Sequence, residues 1–340
     1  MRNGILAAGN WILDKVKTID RWPGEGNLCN IVEETRAPGG GPCNLLFDLA
    51  AIDPDLPLYA AGRVGDDDDG NFLLNELRRR HIDSRWMIRS RSAATAYTDV
   101  MSGGGRRTFF HCRGANAEFN PADLDGVDLP ARFFYLGYLL LLDALDTDDP
   151  EYGTAGSRLL ARMSEAGCRT VVDFVSEAPE KFRRIIPPAL PWTDILIINE
   201  IEASHCLGRE LRRADGSLDW AGLIPAAEGL LAAGVRQLAV IHFPEGALAL
   251  ERGGTPVYAP SCRMERSEIV GSTGAGDAFA AGVLYGLHEN LPLREALDLG
   301  SASSRFNLLS PTASDGAVSL AVMRNYLKEC EFTPLPEIFQ

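Results

Sequence analysis

At 340 residues, 46% of them apolar and 24% charged, the chain has ample material for a large core, which excludes a disordered tract, a collagen-like repeat and a small disulfide scaffold. Its size fits two domains or one large α/β domain with an insertion, since single cores stop growing at about 250–300 residues. The 47 acidic against 33 basic side chains leave a net charge of −14, a field that repels nucleic-acid backbones and anionic lipid.

From the N-terminus, the apolar run Gly4–Ala8 reads as a buried strand, and Val16–Ala37 then mixes β-branched, charged and aromatic residues as half-exposed strands do. A second strand is expected at Leu58–Val64. The acidic run Asp66–Asp69 leads into Asn71–Arg80, where Phe72, Leu73, Leu74 and Leu77 have helical spacing. Carboxylates at a helix start complement its dipole, and that reading is favoured over a cation site. Ala94–Cys112 repeats the mixed character of the earlier segment, and together the two fit a small sheet inserted into the main domain. Its Arg106 and Arg107 are an isolated pair, and Arg78–Arg80 belong to a helical face, so neither forms a nucleic-acid patch. Further strands are expected at Phe133–Leu139, Thr170–Val175, Ile195–Ile198 and Gln237–His242, with helices at Tyr152–Glu165 and Trp220–Ala233. This alternation predicts a largely parallel sheet flanked by helices. The run Phe133–Leu142 is too short to span a bilayer, and the seven cysteines are scattered with no C-x-x-C pair or zinc spacing. A cytoplasmic protein bound to neither membrane nor nucleic acid is expected.

The stretch Ile269–Leu287 carries the chemistry. A Gly-rich turn enters a helix of small residues, so the N–H groups of Gly274, Ala275 and Gly276 are open to an anion or a transition state spreading negative charge. Asp277 beside them fits two roles: a base for a substrate hydroxyl while a phosphoryl group is transferred, or a simple complement to the helix dipole. No G-x-x-x-x-G-K-[ST] occurs. Phe279 stands where a dinucleotide-binding turn needs a third small residue.

Gly271–Asp277 (GSTGAGD) resembles the D-T-T-G-A-G-D signature of the PfkB, or ribokinase-like, carbohydrate and nucleoside kinases. Further resemblances follow in chain order: Gly9–Asp14 (GNWILD), Gly39–Asn44 (GGGPCN), Gly62–Gly70 (GRVGDDDDG), Arg107–Asn116 (RTFFHCRGAN) after Thr95, and Asn199–Glu202 (NEIE). The resemblance implies an α/β fold, a ribokinase-like three-layer sandwich with a mostly parallel central sheet. Its kinase domain would span 1–330, with a β lid from 15–38 and 94–114 and a tail at 331–340. It implies Asp277 as catalytic base and Gly274, Ala275 and Gly276 as anion hole. Asp14, Gly40, Gly41, Asn44, Trp11 and Asn116 would bind substrate, and Asn199, Gly246 and Thr273 the nucleotide. Glu202 would reach Mg²⁺ through water, with ATP as donor.

Two departures stand out. Gly271 replaces the first aspartate of the signature, which puts activation by a monovalent cation in doubt. Val240–Gly246 (VIHFPEG) replaces the usual V-T-L-G-x-x-G loop, leaving His242 or Phe243 to line the nucleotide pocket, with a plain partly buried histidine the favoured reading of His242. Glu200 is expected to be solvated or a helix cap. Arg113 suits either an acidic sugar or a surface carboxylate, and Trp11, Phe109 or Phe110 would stack a nucleoside. The implied activity is ATP-dependent phosphorylation of a hydroxymethyl group on a fructose- or ribose-like sugar. The alternatives are a nucleoside kinase and a non-catalytic sugar- or nucleotide-binding protein. Exposed lid strands suit a homodimer through the lid.

Overall fold

The computed structural model describes residues 3–104, 106–126, 130–175, 179–334 and 336, so part of the 331–340 tail lies outside the described residues. Strand β1 (Ile5–Gly9) is buried throughout and continues through Asn10 and Trp11 into β2 (Ile12–Ile19). From there β3 (Ile31–Gly39) returns to the start of α1 (Gly41–Ile52). Next come β4 (Leu58–Gly65), α2 (Asp68–Arg79), β5 (Asp83–Ser90), β6 (Ala96–Gly103), β7 (Arg106–Cys112) and β8 (Phe133–Leu139). A short ribbon of β9 (Asp148–Asp149) and β10 (Gly153–Thr154) precedes α3 (Ala155–Glu165), β11 (Arg169–Phe174), α4 (Pro179–Ala189), β12 (Ile195–Asn199), α5 (Glu200–Leu207) and α6 (Trp220–Ala232). The chain closes with β13 (Leu238–Phe243), β14 (Gly246–Glu251), β15 (Val257–Pro260), α7 (Ala275–His288), α8 (Leu293–Asn307) and α9 (Leu320–Glu329).

Nine strands form one sheet in the order β15-β14-β13-β12-β11-β8-β1-β4-β5. Only the β13/β14 and β14/β15 pairs are antiparallel. Because side chains alternate along a strand, each apolar run feeds two cores. Leu6, Phe134, Val172, Leu196 and Ala239 pack with α3 to α6, while Ile5, Phe133, Val171, Ile195 and Val240 pack with α1, α2, α7, α8 and α9. Each such buried Leu, Ile, Val or Phe contributes about 1.5–3 kcal/mol, which is why the expected strands fall where the apolar runs are. The acidic run starts α2 as expected: Asp67 accepts from the Gly70 N–H, with Asp68 and Asp69 in the first turn.

The two mixed segments form a separate four-stranded sheet in the order β3-β2-β6-β7. It begins at Ile12, earlier than the expected boundary of 15, because β2 runs straight out of β1. Asp14 therefore lies inside a strand of the small sheet. The flanking strands β3 and β7 leave Ile31, Val32, Phe109 and Phe110 more than half exposed.

Candidate active site

The order β8-β1-β4 places the carboxyl ends of these strands where the connections diverge to either side, the position at which open α/β sheets bind ligands. At this end of the molecule α7 begins. Gly274 caps it with a left-handed backbone (φ 80°), and a Cβ there would meet the Ala313 carbonyl at 2.5 Å. No side chain caps the helix, and Ala278 N–H closes its first turn on the Gly274 carbonyl (2.8 Å). The Ala275 N–H has only a long contact, 3.4 Å, to the Ser272 carbonyl, and the amides before Ala278 have no carbonyl within the helix to bond, which suits them to an anion.

Asp277, in that first turn, is only 4% exposed. Asn44 Nδ2 donates to its Oδ2 (2.8 Å), and the Tyr138 hydroxyl lies 2.7 Å from both carboxylate oxygens. Burial pushes the Asp277 carboxyl up to about 6, against the pull of the two donors. Asp14 is likewise raised to about 6 by burial, with Thr98 opposing and the charge of Asp277 adding. Asp14 pairs in register with Thr98 of β6, whose hydroxyl is 3.1 Å from His111 Nδ1 of β7, so the three residues form a row across the small sheet. Glycines make this crowding possible. A Cβ at Gly39 would stand 2.4 Å from Asp14 Oδ2, and one at Gly41 would stand 2.8 Å from the Tyr138 ring.

Two more acids face the same region. Burial, aided by Glu202 and Asp277, holds Asp173 well above the usual carboxylate range, while Tyr135 Oη donates to it at 3.2 Å and Phe174 N–H at 2.7 Å. Asp48 lies one turn after Asn44 on α1, fully buried. Neither of its oxygens, nor Asn44 Oδ1, has a hydrogen-bond partner among the described residues, and burial again raises its carboxyl strongly.

Several expected site residues serve the scaffold. Trp11 is closed off from solvent and its indole N–H donates to the Ala61 carbonyl (2.8 Å), so it packs in the core and walls no open cleft. The Asn116 carboxamide is consumed by Trp11, accepting from its N–H and donating to its carbonyl, both at 3.1 Å. That pair fixes the turn between β1 and β2 and leaves Asn116 a supporting role. Asn199 and Glu202 form a reciprocal capping box on α5: Asn199 Oδ1 accepts from the N–H groups of Ile201 and Glu202, and Glu202 Oε2 from the Asn199 N–H. Gly246 closes the tight β13–β14 hairpin. Phe243 is buried against Trp220 and Tyr258 and does not line a pocket. His242 packs on Phe279 (ring centroids 5.0 Å apart), where burial holds it down to about 4 and hence neutral, and its ring edge faces Gly276. Glu200 is neither solvated nor a cap, because Arg212 bridges it to Glu245. Arg113 pairs with Asp143 (2.9 Å). Across the site, Arg107 of the small sheet reaches Thr273 Oγ1 at 3.4 Å, so the sheet touches the Gly-rich turn.

Sequence reasoning missed Tyr138, Asn10, Asp48 and Asp173. Asp173 carried a signal, a lone acid within an apolar strand. Tyr138 carried none, because an aromatic ending an apolar run is indistinguishable from core.

Over 307 residues the chain is 21% identical to a ribokinase of Staphylococcus aureus, covering 89% of this chain and 93% of that protein. It is 28% identical over 280 residues to an adenosine kinase of Saccharomyces cerevisiae, covering 80% and 78%. The fold matches that of Arabidopsis thaliana ribokinase complexed with ribose and ATP, with a TM-score of 0.79 at 20% identity over 96% of this chain and 99% of that one. The fold is thus the ribokinase-like α/β sandwich. The family model for pfkB family carbohydrate kinases matches residues 11–319, and the chain belongs to that family of phosphotransferases acting on alcohol groups.

Proposed function

We propose that the protein transfers the γ-phosphoryl group of ATP to a hydroxymethyl group of a small sugar, fructose- or ribose-like in size. The observation that carries this reading is Asp277, buried and gripped by two donors at the uncapped start of α7. Asp277 takes the proton of the acceptor hydroxyl, while the amides of Gly274, Ala275 and Gly276 stabilise charge on the phosphoryl oxygens. Asp14, projecting from the small sheet, and Asn44 hold sugar hydroxyls, with Gly40 and Gly41 leaving room for close approach. Thr273 borders the nucleotide, Gly246 acts by closing the β13–β14 hairpin, and Asn199 acts by fixing the start of α5. The small sheet is the lid, and its Arg107–Thr273 contact is the closing point over the phosphates.

Mg²⁺ fits this site through water. Asp173, Glu202 and Asp277 bring acidic charge together, yet among the described residues no group of three or more His, Cys, Asp or Glu is arranged to hold a metal directly. When bound, the ion neutralises phosphate charge. Gly271 supplies no carboxylate to a monovalent cation, and a Cβ there would sit 2.7 Å from the Ser310 carbonyl. The exposed Ile31, Val32, Phe109 and Phe110 of the outer lid strands suit pairing of two lids in a homodimer. The free thiols fit a reducing cytoplasm, and no helix among the described residues is long and apolar enough to cross a membrane.

ADP release from ATP and Mg²⁺ over a panel of D-fructose, D-ribose, sugar acids and adenosine tests the reading. Turnover with one of the two neutral sugars is expected. Turnover with adenosine alone would make it a nucleoside kinase, and binding without turnover a non-catalytic sugar-binding protein.

A further inference from the structure

Tyr138 enters the site from the end of β8, and separate parts of the chain hold it there. The Asn10 side chain accepts from the Tyr138 N–H through Oδ1 and donates through Nδ2 to the Leu141 carbonyl (3.3 Å), pinning the backbone around the tyrosine. The ring lies against the α-carbon of Gly41, where a Cβ would come within 2.8 Å of Cε1. Its hydroxyl then sits 2.7 Å from both Asp277 oxygens, while Asn44 Nδ2 reaches only Oδ2.

A carboxylate offers about four lone-pair positions. One phenolic hydrogen shared between the oxygens, together with one amide hydrogen on Oδ2, leaves an open position on Oδ1. We propose that Tyr138 is a positioning residue for the transfer: its phenol bridges the Asp277 carboxylate, fixes its rotation, and leaves Oδ1 to receive the acceptor's proton. This rests on Asp277 being the base. In the step itself the acceptor O–H proton passes to Oδ1 and the acceptor oxygen bonds to the γ-phosphorus. The bond from that phosphorus to the β–γ bridging oxygen breaks, and its electron pair leaves with ADP.

The surroundings explain why such a clamp is needed. Asp277 is faced by Asp14 from β2, Cys43 and Asp48 from α1, Tyr135 from β8 and Asp173 from β11, with Glu202 of α5 beyond Asp173. His242 of β13 borders the same helix start and is neutral, and Arg107 of β7 stops at Thr273. Burial among so many acids favours a protonated, freely turning carboxyl. The Asn44 and Tyr138 donors favour the ionised, fixed one.

Two variants test this. Tyr138→Phe keeps the ring and removes the hydroxyl, and Gly41→Ala keeps the hydroxyl and displaces the ring. Infrared difference spectra of each protein against its Asp277→Asn counterpart isolate the Asp277 carboxyl band through a pH titration without any ligand. The midpoint, about 6 in the parent, is expected to rise by about one pH unit in Tyr138→Phe, the scale of a lost neutral hydrogen bond, and to move the same way in Gly41→Ala. With ATP, Mg²⁺ and D-fructose or D-ribose, the rate of Tyr138→Phe should fall about fivefold at pH 6 and hardly at all at pH 8.5. An unmoved midpoint in both variants overturns the proposal. So does an equal loss of rate at every pH, because simple loss of packing would give that. Near-full activity in Asp277→Asn instead removes the base, and this proposal with it, and is seen separately from the tyrosine variants.

Discussion

Trp11 lies in the turn between β1 and β2, and its ring fills the space left by Gly62, where a Cβ would come within 2.5 Å of the indole. Replacing it with Phe strands the Ala61 carbonyl in the core. Thermal or denaturant unfolding should show a loss of about 1–3 kcal/mol, while the Michaelis constant for the sugar changes less than about threefold, since a buried packing residue adds no binding energy of its own. A large rise in that constant with unchanged stability would restore Trp11 to the substrate wall. For Asp277 as the proposed base the sign follows from its chemistry: the ionised form would accept the proton, and burial pushes its carboxyl up to about 6. Turnover should therefore be level above pH 7 and fall about tenfold per unit below the midpoint. A pH–rate profile flat down to pH 5 would contradict this.

At the scale of elements, helix α1 carries Asn44 on a turn that faces Asp277 and Asp48 one turn deeper. Asp48 Oδ1 and Oδ2 have no partners among the described residues, and its raised carboxyl destabilises the folded state once pH exceeds the usual value near 4. Asp48→Leu should raise the melting temperature, with a gain of about 1–3 kcal/mol at pH 8 that shrinks toward pH 5. A gain independent of pH would mean that ionisation has no part in it. The same contrast explains what was legible in the sequence. The strands were visible because burial on both faces makes continuous apolar runs, as in Ile195–Asn199, and the start of α7 because only small residues leave its amides open. Asp14 and Asp277 were singled out through their motifs. Tyr138, Asn10 and Asp48 were not, because their significance comes from contacts between β8, the β1–β2 turn and α1 that no local pattern encodes. Asn199 and Glu202 matched a motif whose spacing, three residues, is also that of a capping box, and sequence alone does not separate the two.

Across the whole molecule, Asp14, Asp48, Asp146, Asp173 and Asp277 all hold carboxyls raised by burial. Each favours the folded state fully below its unfolded value and loses that contribution as pH rises through the folded one, and the net charge of −14 acts in the same direction. The melting temperature should therefore be higher near pH 5.5 than at pH 8, and a reversed order would contradict the buried-acid account. The lid reading has its own test: sedimentation of a Phe109→Ser, Phe110→Ser double variant should show a dimer weakened toward monomer. An unchanged assembly would move any dimer contact elsewhere. The most direct measurement is ADP release by Asp277→Asn beside the parent, with ATP and sugar binding followed by calorimetry. The account predicts turnover reduced by about 10²–10⁴-fold with both ligands still bound; turnover within tenfold of the parent would contradict it.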